Sequence, residues 1–296
     1  MIKAVEYTLS YWNGVDLRYR QFQEPKIRLY IAGIVLLENA PPFAKPALYT
    51  NGMYEAQIIL DEFGKFLYED NTIQRIKDYD VSIYMSGRIL YTMNEYRDTT
   101  GIAYLGRACH DEYEQPGYNS GKYDGVGIVQ DQNDYRYLLT AVHEFGHILG
   151  APHDGEESDY YSPHSTVDCP KEESYIMSYN KYNGNKILFS PCSKKAIKSV
   201  LSQDSTKCLR NNPAKYENNY PLRRLLPSRM FTLNEQCKNI GAYNCDYVKT
   251  TCLDLYCNRK DSHGYLTPFT YNYPPLEGSY CGRGKYCIAG HCVDIL

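Results

Sequence analysis

Seven of the chain's eleven cysteines crowd into its last sixty residues, at 237, 245, 252, 257, 281, 287 and 292; the others stand at 109, 169, 192 and 208. No two of them form the CxxC pair of a thiolate metal ribbon. Such dense, irregular spacing reads as a disulfide framework made in an oxidising compartment. An odd count leaves at least one thiol without a partner in this chain. The spacing also divides the sequence. Residues 231–296 hold too little apolar sequence for a core and need bridges to stand, whereas the longer part of this 296-residue, 43% hydrophobic chain can bury one. The expected division is a large domain over 1–211, a linker over 212–230 rich in Asn, Pro and basic residues, and a cysteine-rich module over 231–296.

A formal net charge of −3 argues against nucleic acid or an anionic membrane as the main partner. No stretch approaches the roughly 20 apolar residues of a membrane helix; the longest apolar run, 31–37, is strand-sized. Residues 1–20 lack the basic and apolar regions of a signal peptide, so a mature fragment or partial sequence is expected. No Asn-x-Ser/Thr sequon occurs, and secretion rests on the cysteines alone.

Hydrophobic periodicity predicts helices over 1–20, 52–68, 136–149 and 194–202. It predicts strands over 26–38, 79–85, 101–105 and 125–130. Helices and strands thus alternate before the irregular tail, an α/β (α+β) pattern.

The segment HEFGHILGAPHD, residues 143–154, carries the chemistry. His143 and His147 are four apart on the third predicted helix and share a face, so they can chelate one ion. Glu144 lies beside them and is free to act on a metal-held water as the catalytic base. A continued helix would put His153 ~15 Å along the axis from His143, too far to share a metal. Gly150 allows the chain to turn back and Pro152 forbids more helix. The breaker falls where a third ligand requires it. HExxH with that glycine and third histidine arises by chance in on the order of one chain in 10⁵. Three neutral histidines leave zinc one open position, which marks a catalytic site. The remaining histidines, 110, 164, 263 and 291, have no ligand spacing and read as surface residues.

HExxHxxGxxH resembles the metzincin metallopeptidases, and Asp154 after the third histidine resembles their reprolysin (adamalysin) branch. YIMSY at 175–179 resembles the methionine turn beneath the metal, with Met177 as its turn residue. The resemblance implies a metzincin catalytic domain over 1–211, with a mixed sheet and an active-site helix, that binds one Zn²⁺. It implies that Asp154 is buried and bonds towards the turn. TGIAYLGRAC at 100–109 resembles the edge strand that pairs with extended substrate, so Thr100, Gly101, Ile102 and Ala103 would bind substrate main chain. The tail resembles the disintegrin-like module of metalloproteinases with thrombospondin motifs; Arg-Gly-Asp is absent from it. The whole is similar to salivary metalloproteases of blood-feeding ticks. Family pairing implies Cys109–Cys208, Cys169–Cys192, Cys237–Cys257, Cys252–Cys287 and Cys281–Cys292, leaving Cys245 unpaired in a loosened module. It also implies a structural Ca²⁺ held by Asp80, Asn211 and the carbonyl of Cys208. The family begins with a strand before its first helix, and by that pattern this chain would lack a core strand.

The expected function is a secreted zinc metalloendopeptidase acting on extracellular matrix or plasma proteins such as fibrinogen or gelatin, as a monomer. The alternative is a non-catalytic protein that binds through its cysteine-rich tail. Lys194, Lys195 and Lys198, like Arg223 and Arg224, read as solvated faces that can serve as an exosite.

Overall fold

The computed structural model describes residues 1–49, 51–69, 79–93, 97–109, 121–157, 164–179, 184–211, 225–270 and 272–294. Helix α1 (Ile2–Tyr19) turns Tyr7, Tyr11, Val15 and Tyr19 inward, at helical spacing. Helix α3 (Leu138–Ile148) packs against it through Leu138, Leu139 and Val142. Helix α2 (Ala56–Glu69) closes a second apolar cluster with Phe43, Val126 and Ile128.

Between the helices lies a three-stranded sheet. Strand β2 (Ser82–Ser86) runs parallel to the central β6 (Val126–Gln130). Strand β5 (Gly101–Ala103) runs antiparallel to β6 on its other side, so the order is β2-β6-β5. Strand β6 is buried along its whole length, as a strand covered on both faces should be. A second small sheet joins β1 (Tyr54–Glu55), β3 (Leu90–Thr92) and β4 (Arg97–Thr99). Helix α4 (Pro191–Leu201) follows, capped by Ser190, whose Oγ accepts from the Ser193 N–H, with Pro191 in its first turn.

One predicted strand is not there. Residues 26–38 join no sheet among the described residues. Their start is tied to α1 instead: Asp16 Oδ1 accepts from the Leu29 N–H at 2.8 Å and from Arg28 Nε at 3.2 Å. Val35, Leu36 and Leu37 are exposed. An apolar run signals a strand only where a partner backbone is available, and this one is held at its start by Asp16 of α1.

The cysteine-rich part has helix α5 (Leu233–Asn239), opened by a Thr232–Glu235 capping box, and two small sheets. Strands β7 (Asn244–Cys245), β8 (Tyr256–Lys260) and β9 (Leu266–Thr270) form one; β10 (Tyr280–Gly282), β11 (Lys285–Ile288) and β12 (His291–Asp294) form the other. Five disulfides run through the chain: Cys109–Cys208, Cys169–Cys192, Cys237–Cys257, Cys252–Cys287 and Cys281–Cys292. Cys245 is a buried free thiol. Two ion pairs tie this part to the helices before it. Arg18 Nη2 meets Glu277 Oε1 at 2.5 Å, both side chains at most 3% exposed. Lys186, fully buried, pairs with Asp254. The linker expected over 212–230 falls largely on residues 212–224, outside the described ones.

Candidate metal centre

Helix α3 presents His143 and His147 one turn apart, then ends abruptly. The Gly150 N–H donates to the His147 carbonyl at 2.8 Å and the Ala151 N–H to the Gly146 carbonyl at 2.9 Å. This is the paired closure of a Schellman motif, with Gly150 at φ +102°. A side chain there would be strained, and its Cβ would lie 2.4 Å from Val200 Cγ2. Beyond the turn the chain doubles back and delivers His153.

The three imidazoles converge on one point. His153 Nε2 lies 3.2 Å from His143 Nε2 and 3.1 Å from His147 Nε2. Each Nδ1 faces an acceptor: the Ile176 carbonyl at 2.7 Å for His143, the Ala151 carbonyl at 2.8 Å for His147, and Glu156 Oε1 at 3.0 Å for His153. A neutral imidazole carries one N–H. With that proton on Nδ1 in each ring, the three Nε2 atoms present only lone pairs to one another. They cannot hydrogen-bond, and a cation between them is what makes the convergence favourable. Tetrahedral bonds of ~2.0–2.1 Å put ligand nitrogens about 3.3 Å apart, close to the spacing found. Among the described residues one other trio of ligand atoms lies close together, Cys252, Cys281 and Cys292, but their sulfurs are already in disulfides.

Glu144 is buried against β5. A Cβ on Gly101 would sit 2.6 Å from Glu144 Cγ and 2.7 Å from its Oε1. The glutamate and the outer strand are therefore in direct contact. Ile102 and Ala103 continue that strand, which among the described strands pairs only with β6. Thr100 bridges to the helix by Oγ1 at 3.0 Å from Thr140 Oγ1.

Met177 is fully buried under α3; its Sδ is 2.9 Å from where a Gly146 Cβ would stand. The Asp154 N–H donates to the Met177 carbonyl at 3.2 Å. Its carboxylate accepts from Ser190 at 2.6 Å and from Ser178 and Ser193 at 3.2 Å. Burial pushes the Asp154 carboxyl above the ordinary range, and these hydroxyls and His153 pull it back. Asp154 thus knots the metal loop, the methionine turn and the start of α4 together. Nothing in the sequence singles out Ser190 and Ser193 for this role, because Asp154 lies more than thirty residues away. Asp80 stands apart, near the Cys109–Cys208 bridge, where its carbonyl accepts the Cys109 N–H at 3.1 Å. Among the described residues it joins no cluster of three His, Cys, Asp or Glu ligand atoms. Asn211 is exposed, His263 and His291 are exposed, and His110 is outside the described residues.

Comparison with known proteins agrees with this geometry. Residues 71–203 match the reprolysin-like metallopeptidases of family M12B. That stretch is a reprolysin-like metallopeptidase domain. Residues 227–293 match the second cysteine-rich domain of the ADAMTS proteins. A silkworm (Bombyx mori) protein, "A disintegrin and metalloproteinase with thrombospondin motifs like", is 32% identical over 99% of this chain and 41% of its own length. Human "A disintegrin and metalloproteinase with thrombospondin motifs 18" is 31% identical over 73% of this chain and 16% of its own. Human "A disintegrin and metalloproteinase with thrombospondin motifs 1" is 28% identical over 67% and 19%. The chain therefore spans less than half the length of these relatives. The reprolysin-like domain has a mixed α/β fold, and its His143, His147 and His153 stand close enough together to hold one metal ion.

Proposed function

We propose that this chain is a secreted zinc endopeptidase that hydrolyses peptide bonds of extracellular proteins, matrix or plasma proteins among them. The observation that carries the reading is the convergence of three Nε2 atoms beside a buried glutamate that touches an outer strand. His143, His147 and His153 hold the zinc. When bound, it lowers the pKa of a water and polarises the scissile carbonyl. Strand β5 receives an extended substrate along the edge of Thr100 to Ala103 that pairs with no other described strand, so main-chain bonds place the peptide and side-chain pockets select it. Glu144, in contact with Gly101, takes the proton of the attacking water and passes it to the leaving amine. Met177 packs under the histidine-bearing helix, and Asp154 fixes the returning loop.

The reading divides the chain into a protease part, 1–211, and a cysteine-rich part, 231–296, acting together as a monomer. The buried Arg18–Glu277 pair and the pairing of buried Lys186 with Asp254 favour joint action over a free-standing binding tail. It includes a structural calcium held by Asp80, Asn211 and the Cys208 carbonyl; the support is that the Cys109–Cys208 bridge and the Cys109–Asp80 bond bring Asp80 and Cys208 to one corner. The deciding experiment is cleavage of gelatin and fibrinogen by the zinc-loaded chain, with and without chelator, beside Glu144→Ala. Activity is expected to vanish in both controls. Cleavage that survives Glu144→Ala would refute the assignment.

A further inference from the structure

The three histidines are not supported alike. Backbone carbonyls of Ile176 and Ala151 back His143 and His147. His153 is backed by a carboxylate, Glu156 Oε1 at 3.0 Å from Nδ1. The same Nδ1 lies 3.0 Å from Tyr179 Oη, and the two rings pack with centroids 4.3 Å apart.

The loop that carries Glu156 is held, although Glu156 itself is half exposed. Thr166, fully buried, is its clamp. The Thr166 hydroxyl donates to the His153 carbonyl at 2.6 Å and accepts the Glu156 N–H at 3.0 Å. The Thr166 N–H donates to the Glu156 carbonyl at 2.8 Å, and its carbonyl accepts from Gly155 and Cys169. Cys169 is bridged to Cys192 on α4. One buried threonine thus fixes the backbone at both ends of the 153–156 step, and a disulfide three residues away fixes the threonine's own strand of chain.

Resting on the zinc reading above, we propose that Glu156 is a positioning residue for the metal: it holds the proton of His153 on Nδ1, turns Nε2 towards the ion and makes that imidazole a stronger donor. Thr166 sets the carboxylate's place, and the Tyr179 ring sets the plane of the imidazole. Of the two neighbours of Nδ1, the carboxylate is the principal acceptor, because a hydrogen bond to an ionised oxygen is about twice as strong as one to a neutral oxygen. A carboxylate behind a ligating imidazole raises its basicity, and losing such a partner typically weakens metal binding 10–100-fold.

The test is zinc affinity by competition with a chromophoric chelator, measured on the whole chain and independent of proteolysis. Glu156→Ala is expected to raise the zinc Kd about 10–100-fold and to speed zinc release. Glu156→Gln keeps an acceptor without the charge and should fall between Glu156→Ala and wild type. Tyr179→Phe keeps the ring and should bind zinc within about threefold of wild type, since the carboxylate is the main acceptor. Cobalt-loaded protein gives a second readout, because a reoriented His153 shifts the d–d absorption bands of Glu156→Ala. Thermal melts of the metal-stripped variants should match wild type, as Glu156 is half exposed. A zinc Kd in Glu156→Ala within twofold of wild type would overturn the proposal, as would a Tyr179→Phe loss larger than that of Glu156→Ala. A wild-type chain that takes up no zinc would overturn the zinc reading itself, and this inference with it.

Discussion

Gly101→Ala puts the contact between strand and glutamate to the test. The added Cβ would stand 2.6 Å from Glu144 Cγ, 2.7 Å from Glu144 Oε1 and 2.7 Å from Thr140 Cγ2. Ordinary contact begins near 3.4 Å, so three atoms on one helix face must each yield by about 0.7–0.8 Å, or β5 must lift off. Overpacking of this size costs about 1–3 kcal/mol. A misplacement near 1 Å at a catalytic group costs about 10²-fold in rate. The variant should therefore melt a few degrees lower and lose about 10²-fold in kcat/KM on a quenched fluorescent peptide. Its zinc affinity should be unchanged, because the atoms nearest the new Cβ belong to Glu144 and Thr140 and not to a histidine. Gly87→Ala is the control: nothing lies within 4 Å of a Cβ there, so it carries the backbone effect without the clash. If Gly101→Ala keeps wild-type kcat/KM, Glu144 does not work from the position described and the argument fails.

Two further predictions concern the frame. Asp131 is buried with Tyr7 Oη donating to it at 2.7 Å, and burial pushes its carboxyl up to about 6 despite that bond. A folded pKa above the unfolded one means that this group's stabilisation is complete near pH 4 and is lost as pH rises through 6. Asp131→Asn cannot titrate, so it should be more stable than wild type at pH 7.5, by at most about 3 kcal/mol, with the gap closing towards pH 4; melting curves that stay parallel across pH would contradict this. At the seam, Lys186 is fully buried while Asp254 is about one-third exposed. Removing the carboxylate strands a buried ammonium, and Asp254→Ala should cost about 3 kcal/mol, whereas Lys186→Met leaves only a partly solvated acid and should be near neutral; urea midpoints will show whether the asymmetry holds.

What the sequence made legible was local. His143 and His147 are four apart on a periodic helix, and Gly150 with Pro152 marks its end, so the arrival of His153 could be argued without coordinates. The strand expected over 26–38 failed because pairing is non-local. Its apolar pattern says nothing of whether a partner backbone is near, and Asp16 holds its start against α1 instead. Strands β3 and β4 are three residues each, too short for periodicity to register. The hairpins of the tail are held by bridges around one small core of Leu233, Cys237, Cys245, Leu255 and Cys257, too little apolar sequence to announce itself by periodicity. Glu156 was invisible for a different reason. An acid in DGEE looks like any solvated carboxylate, and what distinguishes it is Thr166, ten residues on, whose hydroxyl joins the 153 and 156 backbones.

The same division explains how the site can be adjusted in parts. The third histidine, His153, depends on the loop after α3, which Thr166, Asp154 and the Cys169–Cys192 bridge fasten to α4. The position of Glu144 depends on β5, on the other side of the helix, through Gly101. Helix α3 is common to both, and it is set by the apolar core that it shares with α1. A change in the loop should therefore register in metal affinity, and a change in the strand should register in turnover. Residues such as Gly146, where the helix meets Met177 and Phe189, have no such freedom. A side chain added there must push aside Met177 Sδ, 2.9 Å away, and the Phe189 ring, 3.0 Å away, or shift the helix that carries His143, Glu144 and His147.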